Sequence, residues 1–311
     1  MKRAVVIANP YAGTDRGRLG DSDAAELLRD RGWDVRVCLT EGPAHATELA
    51  AAAAGDTDLV VAVGGDGTVH ETARGLMGTD CPLGVLPSGS GNDFAQGIGC
   101  PTVKEGLSAI EGGHLQRIDV CALDGEPFIN SVGLLASGLI SNRAATLWRW
   151  LGGGRYVLAS IGVLLGYRGQ LVTWTSDAPE FGELPLQRFL LAEICNGPST
   201  GGGFRLAPAA EPGDGLMDAC LVRPVGAVTG LKLLPAAARG ESIEHEAITR
   251  FRCRRIEIQC AEPVSYHRDG EAGTLSAGRH TIEILDTNLR VCVPAPAGPS
   301  PDSGRPALQK D

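Results

Sequence analysis

Residues 59–63 read LVVAV, five apolar side chains in a row, and no other short stretch restricts the possible folds as strongly. A strand with one wet face alternates apolar and polar residues, whereas an uninterrupted apolar run suits a strand covered on both faces, the condition of a parallel sheet between helices. The segments before it agree. Residues 3–8 form a short apolar run ending in Asn9-Pro10-Tyr11-Ala12-Gly13, residues 23–31 have a helical pattern, residues 33–39 alternate, and residues 44–54 are an alanine-rich helix. The order βαβαβ is that of a parallel α/β domain.

The central run leads directly into Gly64-Gly65-Asp66-Gly67-Thr68. Glycines leave backbone amides uncovered where a strand ends, so that they can turn toward an anion. Asp66 among such amides would repel a triphosphate on its own; its use is to hold Mg²⁺, directly or through water, or to orient a hydroxyl. Thr68 offers a hydroxyl, and a helix over residues 69–77 would add its positive dipole end. Gly-Gly-Asp-Gly is also a common tight turn with no ligand. A second loop weighs against that reading. The apolar run at residues 82–86 is followed by Ser88-Gly89-Ser90-Gly91-Asn92-Asp93-Phe94. Two parallel strands would then each end in a small-residue loop beside one crevice, where open α/β sheets bind ligands.

At 311 residues, 43% apolar, the chain is long enough for two cores. A second pattern begins near Asp119, after a helix over residues 103–111. Residues 128–133, 171–176, 189–196, 217–222, 254–260 and 280–285 read as strands, and helical patterns are confined to residues 141–167 and 225–239. The expected fold class is therefore α/β + β. An N-terminal parallel α/β nucleotide-binding domain (1–122) precedes a β-rich, antiparallel, sandwich-like domain (123–293). A disordered Pro/Gly/Ser/Ala-rich tail (294–311) follows, and the active site lies in the interdomain cleft.

A net charge of −9 argues against nucleic acid as the main partner. Nine single cysteines, with no C-x-x-C pair and no secretory leader, suggest core residues of a protein in a reducing cytoplasm. No apolar run is long enough to span a bilayer. Between Glu126 and Asp177 there is no acidic residue, while Arg143, Arg149, Arg155 and Arg168 occur with Trp148, Trp150, Tyr156, Tyr167 and Trp174. Such a stretch suits a surface on anionic headgroups or the aromatic core of a helical hairpin. Residues 143–168 are expected to line the acceptor cleft and to touch the membrane.

From residue 4 to about residue 293 the chain resembles the diacylglycerol kinase catalytic family, in particular its bacterial lipid kinases. The resemblance rests on Asn9-Pro10 with Gly13, the loops at 64–68 and 87–95, Arg117-Ile118-Asp119, Asn196-Gly197 with Gly201-Gly202-Gly203, residues 208–218, and Asp269-Gly270-Glu271. It implies ATP-dependent phosphorylation of a lipid hydroxyl, most simply diacylglycerol to phosphatidic acid, with ATP and Mg as cofactors. By similarity, Asn9, Pro10, Tyr11, Ala12, Gly13, Arg16, Thr40, Gly64, Gly65, Gly67, Thr68, Glu71, Gly89 and Ser90 line the nucleotide. Asp66 and Asp119 hold the catalytic Mg through water, Asp93 supports that network, and Glu271 is the general base. Asp214, with the carbonyls of Glu211 and Leu216, matches a structural Mg site; a plain Pro-Gly-Asp-Gly turn is the alternative. The chain departs from the family at His70, where Asn is usual, at Gln96, where a basic residue often stands, at Ser90 in place of Thr, and at Gly213 in place of a second acid. NAD kinase shares the first glycine turn but not the second loop. A kinase of another lipid or of a secondary-metabolite alcohol, and a non-catalytic lipid- or nucleotide-binding protein, are the other readings. A lipid substrate, a homodimer, and a cytoplasmic location at the inner face of the membrane complete the expectations.

Overall fold

The computed structural model describes residues 1–10, 21–147, 154–239, 241 and 243–295. The first half alternates strand and helix: β1 (Lys2–Ala8), α1 (Asp21–Arg29), β2 (Trp33–Leu39), α2 (His45–Ala53), β3 (Leu59–Gly64), α3 (Asp66–Leu76), β4 (Leu83–Pro87), α4 (Asp93–Gly97) and α5 (Val103–Gly112). Strands β2, β1, β3 and β4 lie side by side and parallel. Every residue of β3 and β4 is buried, as the unbroken apolar runs require.

The second half runs β5 (Leu115–Leu123), β6 (Glu126–Phe128), β7 (Ser131–Leu135), α6 (Ala136–Thr146), α7 (Gly154–Gly166), β8 (Gln170–Ser176), β9 (Glu183–Phe189), β10 (Leu191–Cys195), β11 (Met217–Val222), α8 (Ala227–Arg239), β12 (Ile248–Cys253), β13 (Arg255–Cys260), β14 (Val264–Arg268), β15 (Glu271–Leu275) and β16 (Gly278–Cys292). Its second sheet, ordered β12-β11-β10-β7-β14-β15, is antiparallel throughout. Strands β13, β8 and β9 instead extend the first sheet, through β16. The two layers enclose a core of Val132, Leu134, Trp174, Phe189, Ile194, Met217, Ile256, Ile258 and Ile282, among others. The architecture is a parallel α/β layer followed by an antiparallel sandwich.

Several elements differ from the sequence reading. The expected strand over 189–196 is the end of β9 and then β10, joined at Leu190. The expected helix over 141–167 is two helices, α6 and α7. Trp174 is fully buried in the sandwich core rather than at a lipid surface. Trp148, Arg149 and Trp150, and residues 296–311 of the tail expected over 294–311, lie outside the described residues. Of the nine cysteines, eight are buried and Cys38 partly so, all as free thiols. No described helix is long and apolar enough to cross a membrane.

Candidate active site

Strand β3 ends at Gly64, and Gly65 caps α3 in an extended conformation with no side chain covering the helix start. The first-turn N–H groups at Asp66, Gly67 and Thr68 have no partner four residues back, so the turn presents donors and a positive dipole end. The second loop folds against the first: a Cβ at Gly89 would lie 2.5 Å from Gly65 Cα, so only glycine permits the approach. Asn92, in left-handed conformation, closes this loop by accepting from Gly89 N at 3.0 Å and donating to Gly89 O at 3.0 Å.

The carboxylates are fixed by backbone amides. Asp66 accepts from Asn92 N at 2.8 Å and Phe94 N at 3.3 Å. Asp93 accepts from Gly202 N and Gly203 N, both at 2.8 Å, which ties the first layer to the loop after β10. Burial, together with the charge of Asp66, raises the Asp93 carboxyl from 3.8 to about 6. Two nearby carboxylates, one of them buried, are a donor set that a hydrated divalent cation would satisfy.

From the other side comes the hairpin β14–β15. Its two-residue turn, Asp269-Gly270, has φ of 48° and 86°, the doubly positive pair that Asp-Gly turns provide. The Asp269 carboxylate accepts from the N–H groups of Ile129, Asn130 and Ser131, each at 2.9 Å, and pins the hairpin to the start of β7. Glu271 follows, half-exposed, with Arg268 3.7 Å away.

A single cleft of about 780 Å³ gathers these parts. Asn9, Thr40, Gly65, Asp66, Gly67, Thr68, Glu71, Gly89, Ser90, Asp93 and Glu271 all line it. Glu71 also accepts from Ala46 N at 3.3 Å, at the start of α2, so part of its carboxylate is engaged there. Pro10 and Gly64 do not line the cleft; Gly64 instead accepts from Ser88 N, joining the two loops. Tyr11, Ala12, Gly13 and Arg16 lie outside the described residues.

Two of the expected metal-binding positions have protein partners of their own. Asp119, on β5, does not line the cleft with Asp66; its carboxylate accepts from Gly215 N at 2.7 Å, and it steadies the 211–216 turn. In that turn the expected ligands are engaged with protein groups. The Asp214 carboxylate pairs with the Arg252 guanidinium and accepts from Leu216 N at 3.0 Å, while the Glu211 carbonyl accepts from Asp214 N at 3.3 Å. Arg252 supplies the positive charge, and its Nε also faces Asp218 at 3.5 Å. Among the described residues no group of three or more His, Cys, Asp or Glu side chains forms a metal-ligating cluster.

The cleft also holds residues that the sequence reading did not place in it. Ile140, Leu191, Phe204 and Leu206 are apolar, while Ser137, Thr200 and His267 are polar. Arg155 lies over the Tyr156 ring at the start of α7, and burial raises the Tyr156 hydroxyl. His70 is buried with neither ring nitrogen hydrogen-bonded, and Nδ1 lies 3.8 Å from Asp269.

Comparison with known proteins places the chain in a family. Residues 3–123 match the model of the diacylglycerol kinase catalytic domain, and residues 133–293 that of the YegS C-terminal NAD kinase beta sandwich-like domain. The chain is 30% identical over 278 residues to a diacylglycerol kinase of Mycobacterium tuberculosis, covering 86% of this chain and 88% of the relative. It is 30% identical over 285 residues to a diacylglycerol kinase of Bacillus subtilis, covering 89% and 92%. A crystal structure of a diacylglycerol kinase from Bacillus anthracis superposes with a TM-score of 0.71 at 22% identity, over 94% of this chain and 97% of that one; at that identity the likeness concerns the fold. The relatives are named as kinases of an alcohol acceptor, and the chain is a phosphotransferase of that class. The chain belongs to the diacylglycerol kinase family.

Proposed function

We propose that this protein transfers the γ-phosphoryl group of ATP to a lipid hydroxyl, with diacylglycerol as the reference acceptor and phosphatidic acid as its product. The reading is carried by one observation: the two glycine loops with Asp66 and Asp93, and Glu271 from the opposite sheet, line the same cleft. Phosphoryl transfer is mostly positioning and electrostatics, and each requirement has a residue. The α3 amides with Gly65, Gly67, Thr68, Gly89 and Ser90 hold the phosphates, and Asn9 and Thr40 line the nucleotide end. Asp66 and Asp93 would hold Mg²⁺ through water; when bound, the ion neutralises charge on the phosphate oxygens. Glu271 takes the proton of the acceptor hydroxyl, whose oxygen forms the new bond to the γ-phosphorus as the bond to the β,γ-bridging oxygen breaks and ADP leaves. Tyr11, Ala12, Gly13 and Arg16 belong to the same proposal through the family pattern.

Membrane contact is part of the proposal. Val157, Leu158 and Leu165 of α7 and Val228 of α8 are exposed apolar residues, and α7 also delivers Arg155 and Tyr156 to the cleft. The test is an assay of the purified chain with radiolabelled ATP and a total lipid extract, followed by mass analysis of the labelled product. A labelled phosphatidic acid is the expected result; transfer only to a water-soluble alcohol, or none, would remove the lipid-kinase reading.

A further inference from the structure

Strand β7 pairs with β10 on one side and β14 on the other, and the register sets Glu193 and His267 on either side of Gly133. All three point away from the sandwich core, toward α6. A Cβ on Gly133 would lie 2.3 Å from His267 Nε2 and 2.4 Å from Glu193 Oε2, so the missing side chain is what lets the two meet. They do: Glu193 Oε1 is 3.3 Å from His267 Nε2, with Glu193 0% and His267 4% exposed. Burial opposes both charges, but each partner's charge prevails, lowering the Glu193 carboxyl and raising the His267 imidazole, which makes the pair ionic.

Leu135, with φ of 65°, turns the chain sharply into α6 and brings Ser137 onto the pair. Ser137 Oγ donates to Glu193 Oε2 at 2.5 Å and lies 3.1 Å from His267 Nε2. Thr200 Oγ1 lies 2.8 Å from Ser131 Oγ beside the pair. Ser137 thus gives its proton to the carboxylate and accepts from His267 Nε2, while His267 Nδ1 has no hydrogen-bond partner among the described residues. Ser137 and Thr200 line the cleft, and Ser137, its proton committed to Glu193, has a lone pair left to offer a ligand. A wall of this kind reads a hydrogen-bond donor.

We infer that the Ser137–Glu193–His267 cluster is an acceptor subsite that recognises a second free hydroxyl on the lipid, beside the one phosphorylated. The subsite and the base line the same cleft, and Ser141, one helical turn beyond Ser137 on α6, reaches Gly270 O, one residue before Glu271, at 3.5 Å. The inference rests on the lipid-kinase reading and narrows it to acceptors with a diol-bearing polar end, such as monoacylglycerols.

The test compares two micellar acceptors with the same acyl chain: 1-monoacylglycerol, and the monoester of 1,3-propanediol, which lacks only the second hydroxyl. The wild-type chain is expected to favour the monoacylglycerol about 10-fold in kcat/KM, the scale of one buried hydrogen bond. In Ser137→Ala the preference should fall to within about 2-fold. His267→Gln should do the same, but it leaves Glu193 without its counter-charge and can fail to fold, so Ser137→Ala with an unchanged melting midpoint is the deciding variant. A purely structural cluster would shift the midpoint without moving the ratio. Equal use of both acceptors by the wild type, or a Ser137→Ala ratio like that of the wild type, overturns the subsite and leaves the kinase reading intact. Absence of transfer to any lipid removes the kinase reading, and the subsite with it.

Discussion

Asp93 sits where two requirements conflict. Its oxygens accept from Gly202 and Gly203, which favours the carboxylate, yet burial and Asp66 outweigh those bonds and lift it to about 6. A carboxyl whose folded pKa exceeds its unfolded value stabilises the fold when protonated. That contribution is full below 3.8 and is lost as pH rises through about 6, amounting to about 3 kcal/mol at roughly 1.4 kcal/mol per unit. In EDTA, the melting midpoint should therefore fall more between pH 4.5 and 7 for the wild type than for Asp93→Asn. Magnesium should reduce that difference by favouring the ionised pair. Scanning calorimetry of the two proteins reads both effects, and parallel pH curves would exclude the buried charge. Glu271 poses the opposite case, a half-exposed carboxylate whose value lies in position. Glu271→Gln keeps shape and removes the base, so kcat should drop about 10²- to 10⁴-fold while ATP affinity by equilibrium dialysis stays near wild type. Turnover within 3-fold of wild type, roughly 0.7 kcal/mol of barrier, would give the proton to another group.

Among the elements, α7 does two jobs. Its first turn supplies Arg155 and Tyr156 to the cleft, and Leu158 and Leu165, seven residues apart and so on one stripe, face outward. If that stripe meets the bilayer, Leu158→Glu with Leu165→Glu should reduce flotation with phosphatidylglycerol liposomes at least 5-fold and raise KM for lipid, with activity on a detergent-dispersed short-chain acceptor retained. Unchanged flotation would send the contact elsewhere. The legibility of the elements follows the same physics. β3 and β4 were plain because strands buried on both faces are unbroken apolar runs, and the glycine loops were plain because close approach leaves few residue choices. β12, β14 and β15 were not: they are short, and β12 and β15 are edge strands, where exposure breaks the alternation. Ser-Tyr-His-Arg of β14 looks like a loop until Val264 and Tyr266 are seen to face the core. Glu193 and His267 were equally hidden. Only the pairing of β7 with β10 and with β14, both remote in sequence, shows that the two meet over Gly133, and an acid within an apolar strand gives no sign of its partner.

At the scale of the molecule, β16 decides how the two layers behave together. Its first half pairs with β13 and with the end of β5. After a register shift between Ile284 and Asn288, its last residues pair with the start of β5 and, at Val291, with β4. Ile282 accordingly belongs to the sandwich core, and Leu289 and Val291, both fully buried, to the core of the α/β layer. β5 crosses in the same way, with Ile118 and Val120 in one core and Cys121 and Leu123 in the other. Neither layer can lose these strands and keep its core, and the cleft, with carboxylates on one wall and Glu271 on the other, depends on both. The chain should therefore unfold in one cooperative transition, although it has two cores. Leu289→Ala removes a buried side chain contributed late in sequence to the early layer, at a cost of about 2–5 kcal/mol. Calorimetry of that variant should show a single transition at lower temperature. Two resolved transitions, with only the α/β layer lowered, would mean that β16 is a tether rather than a shared strand, and that the cleft can open without either core melting.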